Sequence, residues 1–186
     1  DRLVAGLRAD AWDARDERNT LRVGMATVPN PTAGESRDTT LTSGFARYER
    51  DLAGSPATVF LGLGRVERFP DYWELVSAGK EATDNLSAFH TRPEKTTQLD
   101  TGLVYAGRRL SASVSAFYSD VDDYILIQTA YAKGMRSTTV TRNVEARTWG
   151  GEADATWALA ARWRLMGTLA YTQGENRSDD RPLAQM

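Results

Sequence analysis

The sequence has no cysteine, one histidine and no apolar run approaching the length of a spanning helix. Without cysteine there is no disulfide, no thiolate metal site and no cysteine nucleophile. With His90 alone there is no histidine pair for zinc and no second histidine for a catalytic cluster. A membrane-crossing helix needs ~18 or more consecutive apolar residues, so an α-helical membrane protein is excluded. Charge of neither sign dominates: 23 Lys+Arg stand against 25 Asp+Glu, a net −2. That balance argues against a nucleic-acid surface and against an acidic disordered tail. No low-complexity tract or Gly/Ser linker interrupts the chain, so no internal domain boundary is read.

Helical spacing is weak, and alternation takes its place. Trp149, Gly151, Ala153, Ala155 and Trp157 form one face of a strand whose other face is Gly150, Glu152, Asp154 and Thr156. Trp163, Leu165, Gly167, Leu169 and Tyr171 repeat the pattern against Arg164, Met166, Thr168 and Ala170. An antiparallel hairpin centred on Ala160 sets Trp157 opposite Trp163 and Trp149 opposite Tyr171, with both apolar faces on one side. Eight residues separate the aromatic pairs, roughly 26 Å at ~3.3 Å per residue. Tilted by ~40°, that is close to the apolar band of an outer-membrane barrel with its aromatic girdles. A second hairpin puts Thr97, Leu99, Thr101, Leu103 and Tyr105 beside Leu110, Ala112, Val114, Ala116 and Tyr118, with a type II′ turn at Gly107. None of these face positions is charged, and they are rich in Gly, Ala and Thr with aromatics at the rims. A sandwich core keeps charge out as well, but does not require that rim pattern.

Seven strands are read, at about 2–13, 39–51, 57–68, 95–106, 109–119, 143–157 and 163–176. The connections alternate long and short: 14–38 long, 52–56 short, 69–94 long, 107–108 tight, 120–142 long, 158–162 short. An up-and-down barrel sorts its loops in this way, with extracellular loops on one rim and periplasmic turns on the other. The run 14–18 reads as a solvated strand extension. Asp1 and Met186 read as ends of a segment of a longer protein, the alternative being a secreted domain with its signal removed.

Specific residues then resemble a family. Arg65-Val66-Glu67-Arg68-Phe69-Pro70-Asp71-Tyr72-Trp73-Glu74-Leu75 is similar to the Arg-x-Pro-x-x-x-Glu-Leu element of TonB-dependent outer-membrane receptors. Arg92-Pro93-Glu94-Lys95 with Leu99-Asp100-Thr101-Gly102 resembles that family's Pro-Glu strand. Ala116 to Ile125 resembles its aromatic strand end with a following Asp-x-Ile. Asn143-Val144-Glu145-Ala146 with Gly150-Gly151-Glu152 resembles its Asn-x-x-x-Ala…Gly-x-Glu strand. The wording of Val66 to Leu75 is most similar to the copper-receptor subgroup. The resemblance implies an all-β, antiparallel, up-and-down transmembrane β-barrel segment, about seven strands of a 22-stranded barrel. Residues 1–186 would be one partial receptor barrel, with the plug, the TonB box and the remaining strands outside this chain.

The function implied is active uptake of a metal ion or metal chelate across the outer membrane, with energy from TonB. Copper is suggested by the subgroup, and a ferric-siderophore receptor of the same fold is the neighbouring alternative. The expected partners are outer-membrane lipid, TonB through the missing N-terminal part, and a metal or metal-chelate cargo, with no nucleic acid. No cofactor and no catalysis is implied. Two other classes stay open: a soluble secreted all-β binding domain, and an enzyme in a smaller barrel that would depend on His90.

The site candidates follow. His90, Met25 and Met135 lie in long loops, and thioethers suit Cu(I). Each is equally an ordinary loop residue. Arg68, Pro70, Asp71, Tyr72, Trp73 and Glu74 are read as a motif at the loop mouth. They suggest a short helical turn that tucks Tyr72, Trp73 and Leu75 against the wall. Asp120, Asp122 and Asp123 are a calcium candidate or plain solvated charge. Glu152, Asp154 and Arg164 are expected together on the lumenal face. Trp149, Trp157, Trp163, Tyr171, Tyr105 and Tyr118 are the expected membrane girdle.

Overall fold

The computed structural model describes residues 1–183. In chain order the elements are β1 (Arg2–Arg15), β2 (Thr20–Val23), β3 (Ala26–Pro29), β4 (Ser36–Asp51), β5 (Ala57–Arg68), α1 (Tyr72–Leu75), β6 (Lys80–Glu81), β7 (Glu94–Ala106), β8 (Leu110–Lys133), β9 (Arg136–Ala160), β10 (Trp163–Asn176) and β11 (Arg181–Pro182). Seven long strands form an antiparallel run, β1-β4-β5-β7-β8-β9-β10, and each pairs with the next long strand in sequence. β11 continues the sheet beyond β10, β2 and β3 form a separate hairpin, and β6 joins β9 in parallel. The meander is the one expected, and its connections alternate long and short as far as the β7–β8 turn.

Alternation sets the two faces. One cross-strand row of opposed residues reads Ala5, Ala46, Leu63, Leu99, Tyr118, Trp149 across six strands, without a charge. This face is bare: Leu7 is 95% exposed and Leu169 is 73% exposed, and no second sheet covers it among the described residues. Another row on the same face runs Arg50, Val59, Leu103, Val114, Ala153, Leu169. It starts in charge at the foot of β4 and ends in the middle of the apolar stretch of β10. The apolar band therefore crosses the rows obliquely, as it must when strands are tilted to the membrane normal.

The other face carries the charge. Arg47 donates to Glu49 at 2.8 Å and lies 3.7 Å above the Phe60 ring, Arg8 pairs with Asp10 at 2.7 Å, and Ser113 bonds Asp154. The packed core is small and sits at one end of this face. There Leu41, Phe69 and Leu75 cluster with Ala14 and Val76, and Trp12 stacks on Phe69 at 5.4 Å.

Three expectations are corrected. Both predicted registers are off by two residues, which preserves the faces and changes the partners. Leu165 opposes Trp157, Trp149 opposes Gln173 and Tyr171 opposes Gly151, because Leu159 bulges out of β9 near the turn. Trp163 pairs with Ala160 rather than Trp157. Tyr105 opposes Ala112 and Tyr118 opposes Leu99, because the connection uses Gly107 to Leu110, with the Gly107 N–H bonding the Leu110 carbonyl at 2.9 Å. Gly107 is not among the glycines at positive φ, so the type II′ turn is absent. The expected long loop 120–142 is strand: β8 and β9 run on to a tight turn at Gly134-Met135. Two irregularities, with positive φ at Asp123 and Ala130, interrupt that ladder without ending it.

Candidate functional site in the loop assembly

Above the wall, three connections meet. The first, between β1 and β4, contains the β2–β3 hairpin. The second, 69–93, contains α1 and β6. The third is the projecting tip of β8 and β9.

The first is organised by Asp16, which is buried rather than solvated as its charged neighbours suggested. Its carboxylate accepts from Arg18 Nη2 at 2.7 Å, Arg18 Nε at 2.8 Å, Thr32 Oγ1 at 2.7 Å and Asn30 Nδ2 at 3.0 Å. Burial raises the carboxyl's pKa, but these donors outweigh it and hold the group well below the ordinary carboxylate range. Ser87 Oγ in turn donates to Thr32 Oγ1 at 2.7 Å, and Arg18 Nη1 donates to the Val76 carbonyl at 2.8 Å. Both partners belong to the second connection.

The second connection is held at four further places. Arg37 donates to the carbonyls of Phe89 and Thr91 and lies over the rings of Phe69 and Phe89. His90 Nε2 is 2.6 Å from Glu35 Oε2 in an exposed pair. Buried Glu81 takes two bonds from Arg136, at 2.5 and 2.6 Å, with Lys133 at 3.0 Å and Thr138 at 3.1 Å. Burial raises the Glu81 pKa, and the bonds from Arg136 and Lys133 bring it below the ordinary value. Arg92 bonds Asp123 at 2.8 Å, while Asn143 clips the Arg92 and Asp123 backbones together.

The mouth motif folds as a capped turn. The Asp71 side chain accepts the Glu74 N–H at 2.9 Å, and Glu74 accepts the Asp71 N–H at 2.8 Å. Arg68 donates to Glu74 at 2.8 Å and to Glu94 at 3.3 Å, tying the turn to the tops of β5 and β7. Pro70 and Leu75 are buried, but Tyr72 and Trp73 are 68% and 66% exposed, so the expected tucking of both rings is wrong. Phe69 fills that role, because the capping box fixes the phase of the turn and leaves only Leu75 on its inner side.

Met25 and Met135 share a setting. Each is the second residue of a two-residue hairpin turn, after Gly24 at φ +60° and Gly134 at φ +64°, and each is fully exposed. Glycine first with positive φ is the type II′ requirement. His90 joins neither tip. Glu152 and Asp154 pair across the ladder with Ala170 and Thr168, while Arg164 pairs with Ala158 at the foot of β10. The structure does not bring Arg164 to them. Asp120, Asp122 and Asp123 do not converge: Asp120 pairs with Arg177 and Asp123 with Arg92. Among the described residues no three His, Asp or Glu side chains are placed to hold a metal. Sequence reasoning missed Asp16, Arg37, Glu81 and Ser87, whose contacts span up to 69 residues and carry no local signal.

The description "TonB dependent receptor-like, beta-barrel" belongs to a family model that matches residues 2–186. No curated protein sequence matches the chain. Among solved structures, the copper transporter OprC is 47% identical with a TM-score of 0.90, over 97% of this chain and 28% of that one. The alcaligin receptor FauA from Bordetella pertussis is 14% identical with a TM-score of 0.56, over 98% of this chain and 28% of that one. The Serratia marcescens hemophore receptor HasR, solved with its hemophore HasA and heme, is 15% identical with a TM-score of 0.66, over 94% and 30%. At such identities FauA and HasR speak for the fold alone. The chain spans under a third of the length of each receptor.

Proposed function

Since the chain belongs to the TonB-dependent receptor β-barrel family, an outer-membrane family of transport receptors rather than enzymes, we propose that it is wall and loops of a receptor that takes up copper. The uptake draws on TonB, which engages a part of the receptor outside this chain. The observation that carries the cargo is the 47% identity to a copper transporter along nearly the whole segment. Two exposed methionines at hairpin tips support it, since thioether sulfur favours Cu(I) over hard cations. His90 has its Nε2 on Glu35, and we assign it a lesser part in cargo contact. Trp149, Trp157, Trp163, Tyr171, Tyr105 and Tyr118 would serve as the interfacial girdle. Glu152, Asp154 and Arg164 would face the lumen, where the plug would sit.

The test is copper accumulation in cells carrying the intact receptor, with and without functional TonB. Saturable accumulation that needs both is the expected result. Replacing Met25 and Met135 together by Leu should raise the half-saturating copper concentration severalfold. Accumulation indifferent to the receptor, with uptake of a ferric siderophore instead, would overturn the copper assignment and leave the family.

A further inference from the structure

We propose that the 69–93 connection is a strap joining the two methionine-tipped hairpins, and that Asp16 and Glu81 are the positioning residues that fasten it. This rests on the copper reading for its functional consequence, and on geometry alone for the strap. At one end, the base of the β2–β3 hairpin is gathered by Asp16 through Arg18, Asn30 and Thr32, and Thr32 and Arg18 pass the hold to Ser87 and Val76. At the other, Glu81 grips Arg136 and Lys133, the residues flanking the Gly134-Met135 tip. Lys133 Nζ also donates to the carbonyls of Ala82 and Asn85 at 2.8 and 2.7 Å, and β6 pairs with β9 at Thr139 and Val140. The gripped stretch, Val76 to Ser87, thus touches one hairpin at both its ends and the other in its middle.

Both carboxylates are buried above the wall and surrounded by several donors, which fixes direction as well as attraction. A surface loop that only needed solubility would leave such groups in water. The consequence is that Met25 and Met135 sit at fixed separation before cargo arrives, so the receptor spends little ordering entropy on capture.

The test uses the intact receptor with spin labels at Met25→Cys and Met135→Cys, read by pulsed dipolar spectroscopy. One narrow distance is expected, and Glu81→Gln or Asp16→Asn should at least double its width. A labelled wall pair, Leu99→Cys with Leu165→Cys, should not change. If Glu81→Gln also disturbs the wall pair, Lys133→Gln replaces it, since it leaves Glu81 on Arg136. A tip-to-tip width unmoved by any of these substitutions refutes the strap. With the natural methionines present, Glu81→Gln should raise the half-saturating copper concentration about tenfold without lowering the maximal uptake rate. An unchanged half-saturation refutes the positioning role. If the unsubstituted receptor shows no saturable copper uptake, the copper reading fails and the distance measurement alone decides the strap.

Discussion

Three phenylalanines on the charged face lie opposite glycines of the neighbouring strand: Phe45 with Gly6, Phe60 with Gly102 and Phe117 with Gly150. The rings occupy the space a side chain would need. An alanine series at the three glycines separates a movable obstacle from a fixed one. A Cβ at Gly6 meets the edge of the Phe45 ring at 2.6 Å and nothing else within 3.3 Å, and a ring edge can swing aside. At Gly102 it meets the Phe60 ring and the Val114 carbonyl oxygen, both at 2.5 Å, and at Gly150 it runs into the Tyr171 carbonyl oxygen as well as Phe117. Those oxygens are ladder backbone and cannot yield without breaking the register. Overpacking of that kind costs about 1–3 kcal/mol. Gly6→Ala should come out within ~1 kcal/mol of neutral, since reduced freedom of the unfolded chain offsets part of the crowding. Equilibrium urea unfolding of the intact receptor refolded into detergent micelles measures all three. Adding Phe60→Leu to Gly102→Ala should recover only the ring's share of the loss. Equal losses at the three sites, or the largest loss at Gly6, would refute the reasoning.

Two more predictions use the faces and the loops. Leu169→Arg, on the bare apolar face, should cost roughly 2–4 kcal/mol in a bilayer, whereas Thr168→Arg, one residue away on the charged face, should cost under ~1 kcal/mol; folding into lipid vesicles reads both. Because the Asp16 carboxyl is held below its ordinary value, its stabilisation is complete above the unfolded pKa of about 3.9 and is lost progressively as pH falls from there through the lower folded value. Amide exchange over residues 18–35, corrected for its intrinsic pH dependence, should therefore stay constant from pH 7 to about 5 and rise below about pH 4. In Asp16→Ala that protection should already be lost at pH 7, and protection unaffected by the substitution would show that the clamp does not hold the hairpin.

The faces were legible because lipid imposes a period of two on every wall strand. Trp149 to Trp157 and Trp163 to Tyr171 announce themselves by composition, and a slip of two residues leaves that signal intact. This is why the faces could be read while the partners of Trp157, Tyr105 and Tyr118 could not. Pairing depends on the turn, and neither the bulge at Leu159 nor the longer connection at Gly107 has a sharp signature. The projecting parts of β8 and β9 were read as loop for a related reason. Above the membrane neither face needs to be apolar, so Asp120 to Arg142 lost its alternation although its backbone kept the ladder. The motif at Arg68 to Leu75 announced its capped turn through Asp71 and Glu74, but not which rings it would bury.

The loop assembly is governed by a different balance from the wall. Below the rim, a charge on the apolar face is costly and nothing there can compensate, so the sequence excludes it. Above the rim, Asp16 and Glu81 are desolvated although water is near. A buried ion pair of this kind contributes little net stability, because desolvation consumes most of the attraction. What it contributes is discrimination: removing one partner strands the other, so alternative loop arrangements that leave Asp16 or Glu81 unpaired are disfavoured by several kcal/mol. Apolar contacts such as Phe69 on Trp12 can anchor the strap to the wall, but they tolerate sliding. A carboxylate bound by Arg136, Lys133 and Thr138 at once does not. For a receptor whose proposed donors stand at the ends of two hairpins, that directional constraint is worth more than additional stability would be.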